Sequence, residues 1–166
     1  LGTPAHRSER DELTFEIVRQ AFTGFATEVR SHDPHRLIGT GDSFPRLSAW
    51  HQEHEGTWTQ DSPQQFREML ALANPDPVSA ISVHAYEDDG ARFPELLAVS
   101  RRLGKPLFVG EFGAQGSTPE QAAKFHGMLQ AIVRHPIPLA ALWVFDYPRQ
   151  EDFNITAGND RAYQLQ

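Results

Sequence analysis

Apolar positions along the chain fall into two alternating patterns. From Ser8 to Ser31 they recur with helical spacing: Leu13, Ile17, Ala21 and Phe25 stand four apart, beside Val18, Phe22 and Val29, and together they read as one broad apolar face. Ser8 with Asp11 forms the capping pair expected to open this helix. After the turn HDPH, the run RLIGTGDS (36–43) is short and apolar, as a strand would be. The Trp-bearing stretch FPRLSAWHQEHEGTWTQ (44–60) has no clear period and is expected to be a long loop. Ser62 and Pro63 open a helix through Leu72, NPDP stops it, and VSAISVHAY (78–86) follows as a strand. The alternation continues with the helix FPELLAVSRRLG ending at Gly104, the strand PLFVGEF, a helix begun by a Thr118 to Gln121 capping box, and the strand PLAALWVF. The pattern predicts four helices and four strands.

These strands are near-continuously apolar, as strands of a parallel sheet covered by helices are. Strict alternation with crossover helices leaves a doubly wound open sheet or a (β/α)8 barrel, and four strands make half of the latter. No internal repeat, low-complexity tract or glycine-rich linker divides the 166 residues, so one domain is expected.

The formal net charge of -7 argues against nucleic acid as a partner, because binding a polyanion draws on clustered Lys and Arg. Cysteine is absent, which removes disulfides, thiolate zinc sites and a cysteine nucleophile. No run approaches the roughly 18 apolar residues of a membrane span, and LGTPAHRSER carries no apolar signal region.

In both architectures functional groups collect at the C-terminal ends of the strands. Those ends carry Asp42 and Ser43, then His84 and Tyr86, then Glu111, then Trp143, Asp146 and Tyr147. Glu111 follows an apolar run, where a carboxylate is costly unless it is paired or used. It reads either as a glutamate satisfied by a backbone or Arg contact, or as a functional group. His84 and Trp143 each read also as core residues. Trp50, Trp58 and Tyr147 either stack on sugar rings or anchor loops. The block GDSF (41–44) matches a short esterase nucleophile block that would use Ser43, but no D-x-x-H follows near the C-terminus. HQEHE (51–55) clusters two histidines with two glutamates without the H-E-x-x-H spacing, so adventitious metal is the expectation, and neither catalytic metal nor cofactor is expected.

The order H-x-Y (His84, Tyr86), VGEFG (Glu111) and a strand with LW (Trp143) resembles the last three strands of glycoside hydrolase family 5, cellulase-like enzymes of the large retaining (β/α)8 clan. RSHDPHRLIGTG looks like that family's fifth strand and its lead-in, so the resemblance covers nearly the whole chain. It implies a half barrel of strands five to eight, a β-linked glycan as substrate, and a secreted or periplasmic location. Glu111 would be the nucleophile, His84 and Tyr86 the residues that hydrogen-bond in the site and orient it, and Trp143 the platform beneath the sugar at the cleavage point. A retaining enzyme needs such a carboxylate and a second carboxylic acid for the leaving oxygen.

In the family that acid sits in an Asn-Glu pair before the long helix and the fifth strand, and no Asn-Glu dipeptide occurs here. The chain begins at Leu1 and is expected to be the C-terminal half of the barrel, cut after the acid. Glu53, Glu55, Glu87 and Asp146 are candidate substitutes, each readable also as a solvated loop carboxylate. A half barrel leaves strand edges and the inner face of its sheet bare, so a partner is expected, either a second copy in a homodimer or a missing N-terminal half. The alternative readings are a non-catalytic, self-assembling sugar-binding fragment and an esterase-type hydrolase.

Overall fold

A computed structural model describes residues 13–86 and 90–166. Among them the chain is α/β, with three parallel strands and five α-helices in the order α1 (Phe15–His32), α2 (Ala49–Glu55), α3 (Pro63–Leu72), β1 (Ile81–His84), α4 (Phe93–Leu103), β2 (Leu107–Phe112), α5 (Pro119–Arg134) and β3 (Leu139–Leu142). A 3-10 turn at Ala162–Leu165 follows.

Local chemistry sets most of the boundaries. Ser62 and Gln65 cap α3 reciprocally, side chain to backbone in both directions, with Pro63 at the first helical position. Thr118 Oγ1 accepts the Gln121 N–H at the start of α5, and Gly104, at φ 65, closes α4 in the left-handed region. Thr14 caps α1 by accepting the Ile17 N–H, while the expected pair Ser8 and Asp11 lies outside the described residues. The single broad face expected of α1 splits into two stripes. Phe22, Ala26 and Val29 pack with Ile38 and Val78, whereas Leu13, Ile17 and Phe25 are exposed.

The sheet runs β1-β2-β3, all parallel. Side chains alternate across it. Ile81, Val83, Leu107 and Val109 on one face are fully buried against Phe66 and Leu70 of α3, Phe93, Leu96 and Val99 of α4, and Phe125 and Met128 of α5. The other face carries Ser82, Phe108 and Leu139 in register, and Leu139 is 58% exposed.

Two expectations are corrected. Residues 36–43 form no fourth strand. The Ile38 carbonyl accepts the N–H groups of Ser79 and Ala80, and the Asp42 carbonyl accepts that of His84, so the segment lies beside β1 at two anchor points without a ladder between them. Gly41, at φ 68, takes the backbone out of the extended region and breaks the pairing. The stretch 44–60 is not all loop, because it contains α2, which raises the helix count from four to five. Ser48 supplies no cap there. The Asp61 carboxylate instead accepts the Trp50 and His51 N–H groups from beyond the helix's other end, and Gly56 closes the helix at φ 65. Among the described residues no helix is long and apolar enough to cross a membrane.

Candidate active site

The geometry around Glu111 begins with an irregularity in β2. Val83 pairs with Val109, but the next residue of β1, His84, pairs with Glu111. On the other side Val109 pairs with Ala140 and Phe112 with Leu142, so β2 takes three steps while β3 takes two. Relative to both neighbours β2 therefore carries one extra residue beside Gly110. In an unbroken strand Glu111 would share a face with Leu107 and Val109 and point into the apolar layer under the helices. The extra residue reverses it, as bulges do, and puts Glu111 on the face of Ser82 and His84, while Phe112 turns into the core and stacks on Phe125 at 6.0 Å. Gly110 leaves room for the imidazole: a Cβ there would already touch His84 Cδ2 and Nε2 at 3.4 Å.

Two groups then converge on one carboxylate oxygen. The Tyr86 hydroxyl donates to Glu111 Oε2 at 2.7 Å, and His84 Nδ1 lies 3.4 Å from the same atom. Both His84 and Glu111 keep access to solvent, with side chains 26% and 21% exposed. Burial, then the hydrogen bond to Glu111, pushes the Tyr86 hydroxyl far above its ordinary value. Tyr86 is thus held in its protonated form, as the donor of this hydrogen bond.

Trp143 follows β3 directly. Its N–H donates to the Phe112 carbonyl at 2.8 Å, and its own carbonyl passes so close to Gly113 that a Cβ there would lie 2.5 Å from the oxygen. The indole Nε1 donates to Gln150 Oε1 at 2.5 Å. Gln150 belongs to a loop, residues 148–153, that forms a wall of an open cleft of about 740 Å³ together with Glu111 and Trp143. The loop is strapped down at further points. Gln115 Nε2 donates to Asp152 Oδ2 at 2.8 Å, Gly116 N–H to the Asp152 carbonyl at 3.1 Å, and the Phe153 ring meets Tyr86 edge-on at 5.4 Å.

The structure brings His84, Tyr86, Glu111 and Trp143 to one end of the sheet and leaves the other aromatic candidates outside the cleft lining. Trp50 sits on α2 and stacks on His54 at 4.3 Å, Trp58 is 77% exposed beyond that helix, and Tyr147 is exposed with its N–H donated to Asn154 Oδ1. Of the candidate second carboxylates, Glu53 and Glu55 are exposed on α2, Asp146 is exposed at φ 51, and Glu87 lies outside the described residues. Sequence reasoning missed Glu151 and Asp152, which line the cleft beside Glu111. Nothing in RQEDF marks them, since the loop's position depends on partners far along the chain.

Ser43 is exposed, its N–H bonds Asp42 Oδ1, and among the described residues no histidine hydrogen-bonds it. In HQEHE, His51 Nδ1 is engaged by Asp61 Oδ1 at 2.7 Å and His54 Nδ1 by the Trp50 carbonyl. Burial raises the Asp61 carboxyl, but the Trp50 N–H and the His51 ring and N–H outweigh it and hold the group below its ordinary value. Among the described residues no cluster of His, Asp and Glu could hold a metal ion.

No family model matches the sequence, and no curated protein matches it. Solved structures do match the fold. The hyperthermostable endo-1,4-β-D-mannanase of Thermotoga petrophila RKU-1 superposes with a TM-score of 0.63 at 15% identity, over 91% of this chain and 52% of that one. The endo-1,4-β-mannanase of Rhizomucor miehei gives 0.63 at 16% identity, over 92% and 44%. An endo-β-1,4-glucanase of Xanthomonas axonopodis pv. citri gives 0.58 at 17%, over 93% and 54%. The fold is similar to that of barrel glycoside hydrolases, and the chain spans about half the length of the structures it matches.

Proposed function

We propose that this chain is a half (β/α)8 barrel carrying the nucleophile side of a retaining β-glycosidase site, with a β-linked glycan as its substrate class. The observation that carries the reading is the convergence of Tyr86 and His84 on Oε2 of Glu111 at the C-terminal end of parallel strands, beside Trp143 in an open cleft. With Oε2 held by Tyr86, Oε1 is the oxygen that attacks the anomeric carbon. The glycosidic C–O bond breaks, the sugar becomes an ester of Glu111, and water later releases it. Trp143 supplies the platform for the sugar. A complete site would also need an acid to protonate the leaving oxygen, which a complementary half barrel other than a second copy of this chain would supply. The folds it matches belong to mannanases and glucanases, which supports a β-glycan as substrate.

A leaving group that needs no proton tests the nucleophile without the acid. The 2,4-dinitrophenyl 2-deoxy-2-fluoro-β-glucoside and mannoside should release dinitrophenolate and leave a fluoroglycosyl mass on the peptide containing Glu111. Glu111→Gln should stay unlabelled. No label on a folded parent, or a label elsewhere, overturns the assignment.

A second reading, a non-catalytic sugar-binding fragment that assembles with itself, draws on the exposure of Leu139 on the outermost strand and of Leu13, Ile17 and Phe25 on α1. It shares the cleft and the fold but not the trapping chemistry.

A further inference from the structure

We infer that Gln150 is a positioning residue of the cleft: its side-chain oxygen locks the edge of the Trp143 indole and so sets the ring plane a sugar would meet. The inference rests on the reading of Trp143 as a sugar platform, but its central claim concerns the ring alone. Trp has a single donor, Nε1–H, and here that donor is spent on Gln150 Oε1 at 2.5 Å.

The lock is anchored at both ends. Gln150's backbone is held by its own turn, its N–H donating to the Tyr147 carbonyl and its carbonyl accepting the N–H groups of Phe153 at 2.9 Å and Asn154 at 2.7 Å. None of these bonds needs the side chain. The turn is tied to the rest of the fold through Asp152 and Gln115. At the other end, the Trp143 backbone is held by Phe112 and pressed against Gly113. The amide of Gln150 is therefore free of structural duty in the loop and spends its oxygen on the indole. A platform fixed before the sugar arrives loses less freedom on binding, which is the usual gain from preorganisation.

Variants of the full chain test this, with mannohexaose and cellohexaose as probes and circular dichroism as the check on folding. Trp143→Ala should weaken binding at least 10-fold. Gln150→Leu should weaken it about 2- to 10-fold, the range of one hydrogen bond, and Gln150→Glu, which keeps an oxygen acceptor, should restore it to within about 2-fold. In a Trp143→Phe background, whose ring has no N–H, Gln150→Leu should change nothing. An equal loss in that background, or no loss from Gln150→Leu where Trp143→Ala weakens binding, overturns the inference. If neither hexaose binds, or Trp143→Ala binds like the parent, the reading of Trp143 as a platform fails instead. Gln150 is then judged without ligand: in a Trp50→Phe, Trp58→Phe chain, where Trp143 is the only tryptophan, Gln150→Leu should raise acrylamide quenching and shift the emission, and unchanged fluorescence overturns it.

Discussion

His84 and Glu111 face each other because β2 holds one residue more than the strands on either side of it. Without the bulge, strict alternation of the same residues would place Glu111 among Leu107, Val109 and the helices above them, an unpaired carboxylate in an apolar layer. With it, the carboxylate reaches Tyr86 and the cleft, and Phe112 takes the buried place. The double substitution Glu111→Phe, Phe112→Glu, made on the same bulged strand, should therefore put a carboxylate in the core and a ring in the cleft. Burying that carboxylate and exposing the ring should cost at least about 3 kcal/mol, read as a lower urea midpoint. An exchanged variant with the parent's midpoint would show that the bulge does not place Glu111.

Gly113 gives a sharper steric test. A methyl group there would meet the Trp143 carbonyl at 2.5 Å, and the colliding atom is backbone, which cannot swing away. Gly113→Ala should destabilise by about 1–3 kcal/mol and disturb the tryptophan emission. Gly127 is the matched control, because it lies within α5 and a methyl group on it would meet nothing within 4 Å. Gly127→Ala should stabilise by about 0.5–1 kcal/mol, since alanine suits a helix interior better. Equal effects from the two substitutions would contradict this packing.

Tyr86→Phe isolates the hydrogen bond to Glu111 while preserving the ring that meets Phe153. Loss of a donor to a carboxylate should cost about 1–2 kcal/mol in stability and slow labelling by the dinitrophenyl fluoroglycosides. Glu111→Gln should keep stability within about 1 kcal/mol of the parent and abolish labelling, because shape is retained and the nucleophilic charge is lost. A Glu111→Gln chain that unfolds would make Glu111 a structural residue.

Asp61 should make α2 acid-sensitive. Its carboxyl titrates below the ordinary 3.8 in the fold, so protonation favours the unfolded chain. The stabilisation is fully present above about pH 4 and is lost as pH falls through the lower folded value. The gap in urea midpoint between the parent and Asp61→Ala should shrink as pH falls below about 4. A gap that widened below that pH would reverse the sign of this linkage.

Much of this was legible in the chain, and the residues that were not share a cause. Ser62, Thr118 and Gly104 announced helix ends because caps are local chemistry, and His84, Tyr86, Glu111 and Trp143 could be grouped because parallel strands gather their C-terminal ends. The helix α2 was hidden because its cap, Asp61, comes after it and not before it. The strand expected at 36–43 failed at Gly41, whose left-handed backbone no apolar pattern reveals. The wall bearing Glu151 and Asp152 was hidden because contacts such as Gln115 with Asp152 span 37 residues.

Apolar side chains left bare at the sheet's edges bear on assembly. Leu139 on β3 is 58% exposed, Leu37 at the opposite edge of the sheet is 65% exposed, and Phe25 on α1 is 59% exposed. Open edges with bare apolar side chains invite pairing, and two-fold closure is the commonest way to satisfy them. We propose that a second copy fills that role, the segment near Leu37 of one chain lying along β3 of its mate. Sedimentation should then give a dimer at micromolar concentration, and Leu139→Lys or Phe25→Glu should shift it to monomer. In such a closed barrel each chain contributes its three strands and the segment near Leu37, so the two Glu111 residues stand four positions apart, across the mouth from each other. Their carboxylates should be further apart than the roughly 5 to 5.5 Å of a retaining pair, so the dimer should take the fluoroglycosyl label yet turn over unactivated glucans and mannans far below a complete site. A stable monomer at micromolar concentration would refute the pairing. Robust hydrolysis of unactivated glycan would show that a carboxylate within the assembly, with Glu151 the first to test, serves as the acid.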